Sequence, residues 1–195
     1  MDNNIILIGM PGSGKSSVGV VLAKALGYGF VDVDLLIQER AGALLQEILD
    51  RDGVERFLDL ERDVLCSVDC ARSVIAPGGS CVCREASIAH MRQLGTVVYL
   101  ALSLPDVESR IHNLATRGIA LSPGQTIADV YAYRTPLYER CAHLTVPAGG
   151  QSLSETVEAV KTALARRNQR YNGRPTARKS MRRRKGSLPF HVENR

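Results

Sequence analysis

Eight residues near the start, Gly9-Met10-Pro11-Gly12-Ser13-Gly14-Lys15-Ser16, fit the spacing G-x-x-x-x-G-K-[ST]. The chemistry suited to that spacing is the holding of a triphosphate. Gly9, Gly12 and Gly14 let the backbone turn with its N–H groups pointing inward, so Gly12, Ser13 and Gly14 would cradle a β-phosphate. Lys15 adds positive charge for the β- and γ-oxygens, and Ser16 offers a hydroxyl to Mg²⁺. Ser17 completes the candidate nucleotide contacts. Two further groups carry chemistry: the carboxylates Asp32 and Asp34, and the turn Gly78-Gly79-Ser80. A glycine-rich turn that binds nothing is the bland alternative for the octet. Its context argues against that.

The context is the set of elements that must hold these residues. Ile5-Ile6-Leu7-Ile8 is an apolar run without alternation, the pattern of a strand buried on both faces. Val18, Val21, Leu22 and Leu26 recur at helical spacing, so the loop opens a helix whose positive end faces the phosphates. Phe30 to Asp34 reads as a short strand, and Leu35 to Arg40 as the start of a helix stopped by Gly42. Leu44 to Leu49 and then Phe57 to about Ala71 read as helical, parted at Asp52-Gly53. Ser73–Ala76, Thr96–Leu102 and Leu144–Val146 are predicted strands. Helices are predicted at Arg84–Leu94, from Pro105 to about Ala115, around Tyr131 and Arg134 with Pro136 kinking or ending the first part, and at Ser154–Ala165. Short buried strands alternating with helices mean an α/β fold with a parallel sheet covered on both faces. The three informative loops all follow strands at the carboxyl edge, where such sheets bind ligands.

Length and charge narrow the function classes. The 195 residues suit one domain with an appendage, and a hydrophobic share of 45% is ordinary for a soluble globule. No apolar run approaches the roughly 18 residues of a membrane span, and no leader is read at the start, so no membrane partner and a cytoplasmic location are expected. Five cysteines, an odd number, argue for free buried thiols over a disulfide framework, and His90, His112 and His143 show no ligand spacing around them. The net charge of +5 divides unevenly: residues 166–195 hold 11 Lys/Arg against Glu193 alone, leaving residues 1–165 at −5. Residues 166–195 are expected to form a basic tail, disordered in isolation. Two readings of it stand, an RNA or polyanion contact and a solvated extension, and the lack of aromatic–basic interleaving favours the second.

The order of motifs over residues 3–165 resembles the shikimate kinases. The residues carrying the resemblance are the octet, Phe30-Val-Asp-Val-Asp34, Asp52-Gly53 with Phe57 and Glu61, Gly78-Gly79, Arg110, Arg117 and Arg134-Thr-Pro-Leu-Tyr138. The resemblance implies a three-layer α/β/α P-loop kinase fold, with a five-stranded parallel sheet, a substrate-binding helical segment and a mobile lid. It implies ATP- and Mg²⁺-dependent transfer of a γ-phosphoryl group to an alcohol, by a chain expected to be a monomer. On the matching positions, Asp32 would hold Mg²⁺ through water and Asp34 would receive the substrate hydroxyl as its base. Arg117 would close from the lid onto the phosphates, Arg110 would lie by the adenine, and Arg134 would meet the substrate carboxylate. Phe57, Gly78, Gly79 and Ser80 would line the substrate pocket. A plain surface position for Arg110, and a helix-capping role for Asp34, remain open.

The chain departs from the family pattern at three places. Leu58 stands where an arginine usually grips the substrate carboxylate, and Arg56 lies about 200° away around a helix. Ser80 replaces the third glycine of the pocket, and Pro77 replaces a hydroxyl residue near the metal's water shell. Glu61, which would brace the missing arginine, is left without that partner. Shikimate is the leading named substrate, with a less anionic alcohol or a sugar acid as the alternative acceptor. A nucleotide-binding switch or pseudokinase is the reading from a different class.

Overall fold

The computed structural model describes residues 4–111, 118–122 and 124–172. Its sheet is built on β1 (Asn4–Ile8), every residue of which is buried. β1 lies at the centre of five parallel strands, joined by β2 (Gly29–Asp32), β3 (Ser73–Ala76), β4 (Gly95–Ala101) and β5 (Leu144–Pro147), in the order β2-β3-β1-β4-β5. The apolar strands are buried because helices cover both faces. These are α1 (Lys15–Leu26), α2 (Val33–Ala41), α3 (Leu45–Cys66), α4 (Glu85–Leu94), α5 (Leu104–Arg110), α6 (Ile127–Cys141) and α7 (Leu153–Asn172). The five-stranded parallel α/β fold expected from the sequence is the one formed.

Register places the chemistry. Asp32 pairs with Ala76 and Ile6 with Ile75, so β2, β3 and β1 end at one edge of the sheet. The loops leaving these adjacent strands therefore meet there.

Several local boundaries differ from expectation for physical reasons. β2 stops at Asp32, whose Oδ1 accepts a hydrogen bond from the Asp34 amide at 3.1 Å and caps α2. Asp32 is the capping residue, and Asp34 sits in the first turn. α3 runs past Gly53, which turns out of helical geometry at φ 78° and kinks the element without ending it. Pro136 does not end α6: the helix carries through it to Cys141. α7 continues beyond Ala165 to Asn172, so the first part of the basic stretch expected to be a tail is helical.

The cysteines are free thiols, with Cys81 and Cys141 buried and Cys66, Cys70 and Cys83 half-buried. Among the described residues no cluster of His, Cys, Asp and Glu could hold a metal by itself, and no helix is long and apolar enough to cross a membrane. His143 serves the sheet, its Nδ1 accepting from the Val97 amide at 3.0 Å. His112 lies outside the described residues.

Candidate active site

At the carboxyl edge of β1, the loop from Gly9 closes on itself and feeds directly into α1. Gly14 caps that helix in the left-handed region, φ 87°, which a side chain would strain. Lys15 Nζ arches back across the loop and donates to the carbonyls of Gly9 at 3.0 Å and Met10 at 3.2 Å. Burial lowers its pKa, with Asp34 the largest opposing influence. Ser13 is 2% exposed and its Oγ has no hydrogen-bond partner among the described residues, an orphaned polar atom inside the cradle. Ser16 and Ser17 are exposed at the mouth. Arg110, at the end of α5, lies over the loop and donates to Ala148 O at 3.0 Å, with a long contact to Gly12 O at 3.5 Å.

A cavity of about 690 Å³ opens beside this loop, and its lining joins residues from seven segments of the chain. Gly12, Gly14, Lys15, Ser16, Ser17 and Arg110 line one side. Asp34, Phe57, Glu61, Gly78, Gly79, Ser80 and Arg134 line the other, with Gly118, Ile119 and Ala120 above them. Of the residues assigned a catalytic, cofactor, substrate or metal role from the sequence, all but three share this cavity. Asp32 stands just behind it as the α2 cap, Ser13 is sealed within the loop, and Arg117 lies outside the described residues.

Gly78 is the pivot of the acceptor side. A Cβ there would run into Glu61 Oε1 and come within 2.7 Å of Asp34 Oδ1, so only glycine lets the two carboxyl groups approach the turn together. Burial pushes the Asp34 carboxyl up to about 6, opposed by Lys15 and assisted by Asp32. Burial pushes Glu61 further, to about 7, opposed by Ser80, Arg134 and Lys15 and assisted by Asp34. Glu61 is 2% exposed, and its Oε1 has no hydrogen-bond partner among the described residues.

Arg134 is 4% exposed, with Nη2 donating to the carbonyl of Ala120 at 2.8 Å. One turn further along α6, the Tyr138 hydroxyl donates to Gly79 O, and its ring stacks on Tyr99 with centroids 5.2 Å apart. Residues four apart share a helix face. A single face of α6 therefore fixes both the segment at Ala120 and the glycine turn. Tyr138 was quoted in the sequence motif but not picked as a site residue; its i, i+4 spacing from Arg134 was the available signal.

Leu58 answers to the core. It is buried in the main apolar cluster and does not line the cavity, whereas its neighbour Phe57 does. Arg56 is exposed and takes no part in the cavity.

The shikimate kinase family model matches residues 11–165. A shikimate kinase of Paracidovorax citrulli is 36% identical over 167 residues, covering 83% of this chain and 91% of the relative. One from Sulfurihydrogenibium is 34% identical over 165 residues, covering 84% and 99%. Among solved structures, the Acinetobacter baumannii shikimate kinase in complex with shikimate superposes with a TM-score of 0.78 at 27% identity, covering 86% of this chain and 95% of the other. The Aquifex aeolicus shikimate kinase gives 0.72 at 28% identity, covering 85% and 98%. With the triphosphate loop, the paired carboxyls and the buried arginine already in one cavity, the match has a physical basis, and the chain belongs to the shikimate kinase family, ATP- and Mg²⁺-dependent phosphotransferases that use an alcohol group as acceptor.

Proposed function

We propose that this chain phosphorylates a hydroxyl of shikimate, and that the observation carrying this reading is the shared cavity of Lys15, Asp34 and Arg134. The residues present fit ATP and Mg²⁺. The loop holds an unpartnered buried hydroxyl at Ser13 and a lysine aimed across its mouth, and Ser16 is free at the rim. Gly12, Ser13, Gly14, Lys15, Ser16 and Ser17 would hold the phosphates through backbone and side-chain donors. Ser16 and Asp32 would hold the metal, which when bound neutralises charge on the phosphate oxygens. Lys15 offers its ammonium to the transferring group, and Arg110 covers the loop where the adenine would lie. Arg117 is assigned the closing of the site over the phosphates.

On the acceptor side Asp34 orients the hydroxyl and takes its proton, since its carboxyl is half-buried and faces Lys15. Arg134 meets the substrate carboxylate with a guanidinium already held by Ala120 O. Phe57 and the turn Gly78-Gly79-Ser80 shape the pocket around the ring. Such a reaction asks the protein mainly for positioning and charge neutralisation, and the described geometry offers both.

The acceptor assignment is tested by ADP release with ATP, Mg²⁺ and a panel of alcohols, with shikimate as reference. Shikimate-dependent ADP release is the expected result; release driven only by other alcohols would overturn it. A second reading, a less anionic acceptor, is favoured by one observation. Leu58 is taken up by the core, so position 58 offers the buried Glu61 no cation.

A further inference from the structure

The bracing role that the resemblance gave Glu61 has no arginine to serve at position 58, yet Glu61 lines the cavity. Four observations bear on it. Its side chain lines the cavity while being almost wholly buried. Oε1 has no hydrogen-bond partner among the described residues. That same oxygen and the Asp34 carboxyl both lie against Gly78, where a Cβ would meet them. The residue one helical turn before it, where a cation would bond it, is Leu58, buried in the core.

An unpartnered buried carboxyl oxygen in a ligand cavity is costly unless the ligand completes it. We propose that Glu61 contacts the acceptor molecule directly through Oε1, and that its protonation state selects the acceptor's charge. As a neutral acid it donates a hydrogen bond to the carboxylate that Arg134 also holds. As a carboxylate it repels that anion and favours a neutral or amine-bearing alcohol. This rests on the kinase reading above and names the specificity device of the same site.

Among the described residues the charged and titratable groups facing Glu61 are Lys15 from the phosphate loop, Asp34 from α2, Arg134 and Tyr138 from α6, and Cys81 and Cys83 beyond the glycine turn, with the Ser80 hydroxyl beside it. Cys81 is held neutral by burial, which raises its thiol well above the usual range, and Cys83 is raised in the same way. Lys15 and Arg134 favour the carboxylate, Asp34 the acid, and burial outweighs them all, which leaves Glu61 exchanging its proton near neutrality.

The test is the KM for shikimate from pH 5.5 to 8.5 in the wild type and in Glu61→Gln, which keeps a donor in the same shape at every pH. Wild-type KM is expected to rise by about tenfold per pH unit above neutrality, the slope of one ionisation that abolishes binding, and Glu61→Gln is expected to stay flat. The same slope in both proteins, or no slope in either, overturns the proposal. Should the wild type release no ADP with shikimate, the acceptor assignment fails, and calorimetric titration of shikimate over the same pH series still decides Glu61. Affinity that falls with pH in the wild type and not in Glu61→Gln supports it. No binding, or equal pH dependence in the two, contradicts it.

Discussion

The two sides of the cavity are built on different principles. The side proposed for the nucleotide comes mainly from one continuous stretch, Gly9 to Ser17, joined by Arg110, and its lysine is braced by its own loop's carbonyls. The acceptor side is assembled from α2, α3, the turn after β3 and α6, and depends on side chains meeting across long sequence separations. A phosphate site made of backbone keeps its meaning when neighbouring side chains change. A pocket made of side chains can be retuned by one substitution, and position 58, a core leucine here, is where we propose such a change.

Lys15→Ala removes the only charge the loop itself contributes. kcat should fall by about 10²–10³-fold, the cost typical of losing one preorganised electrostatic contact, as read in a steady-state ADP assay. Arg134→Leu should act on the other side alone, raising KM for shikimate about 10- to 100-fold while the ATP Kd holds, because a charge-assisted bond is worth about 1.5–3 kcal/mol. It should also loosen the segment at Ala120, which loses its donor.

Gly78→Ala sharpens the comparison further. The new methyl must displace Glu61 or Asp34, and overpacking of that kind costs about 1–3 kcal/mol. Weaker acceptor binding at unchanged ATP affinity, measured by calorimetry, is the expected pattern. Leu58→Arg should lower KM for shikimate by no more than about tenfold, and at a price in stability, since it takes a buried leucine out of the core. Thermal melting would show both sides of that exchange.

The smallest effect concerns stability and pH. Glu61 has its carboxyl raised from an ordinary 4.5 to about 7 in the folded protein. The folded state therefore binds this proton more tightly than the unfolded one, and its contribution to stability is whole below pH 4.5 and lost as pH rises to about 7. Glu61→Gln should melt a few degrees above the wild type at pH 8 and lose that advantage at pH 5, at roughly 2–4 °C per kcal/mol for a chain of this size.

The same division explains what could be read before folding. The phosphate loop, the buried strand before it and the glycine turn are local patterns, and each stands where its residues indicated. Asp32 and Asp34 were legible as a pair, but not that the strand would hand over to a helix between them, because the capping bond from the Asp34 amide decides it. Leu58 was legible as a missing cation and not as a core residue; helical phase alone left open which way it faced. The unpartnered oxygen of Glu61 and the grip of Tyr138 on Gly79 arise only from tertiary packing. Arg117 and Pro123 lie outside the described residues.

The central claim is that a triphosphate on the loop is aimed at a hydroxyl held by Asp34. Shikimate-dependent ADP release compared between the wild type and Asp34→Asn, with ATP affinity measured alongside, tests it most directly. The account expects acceptor-dependent release to collapse in Asp34→Asn by about 10²-fold or more, the range of a lost general base, while ATP binds both proteins alike. Equal release from the two proteins would contradict it.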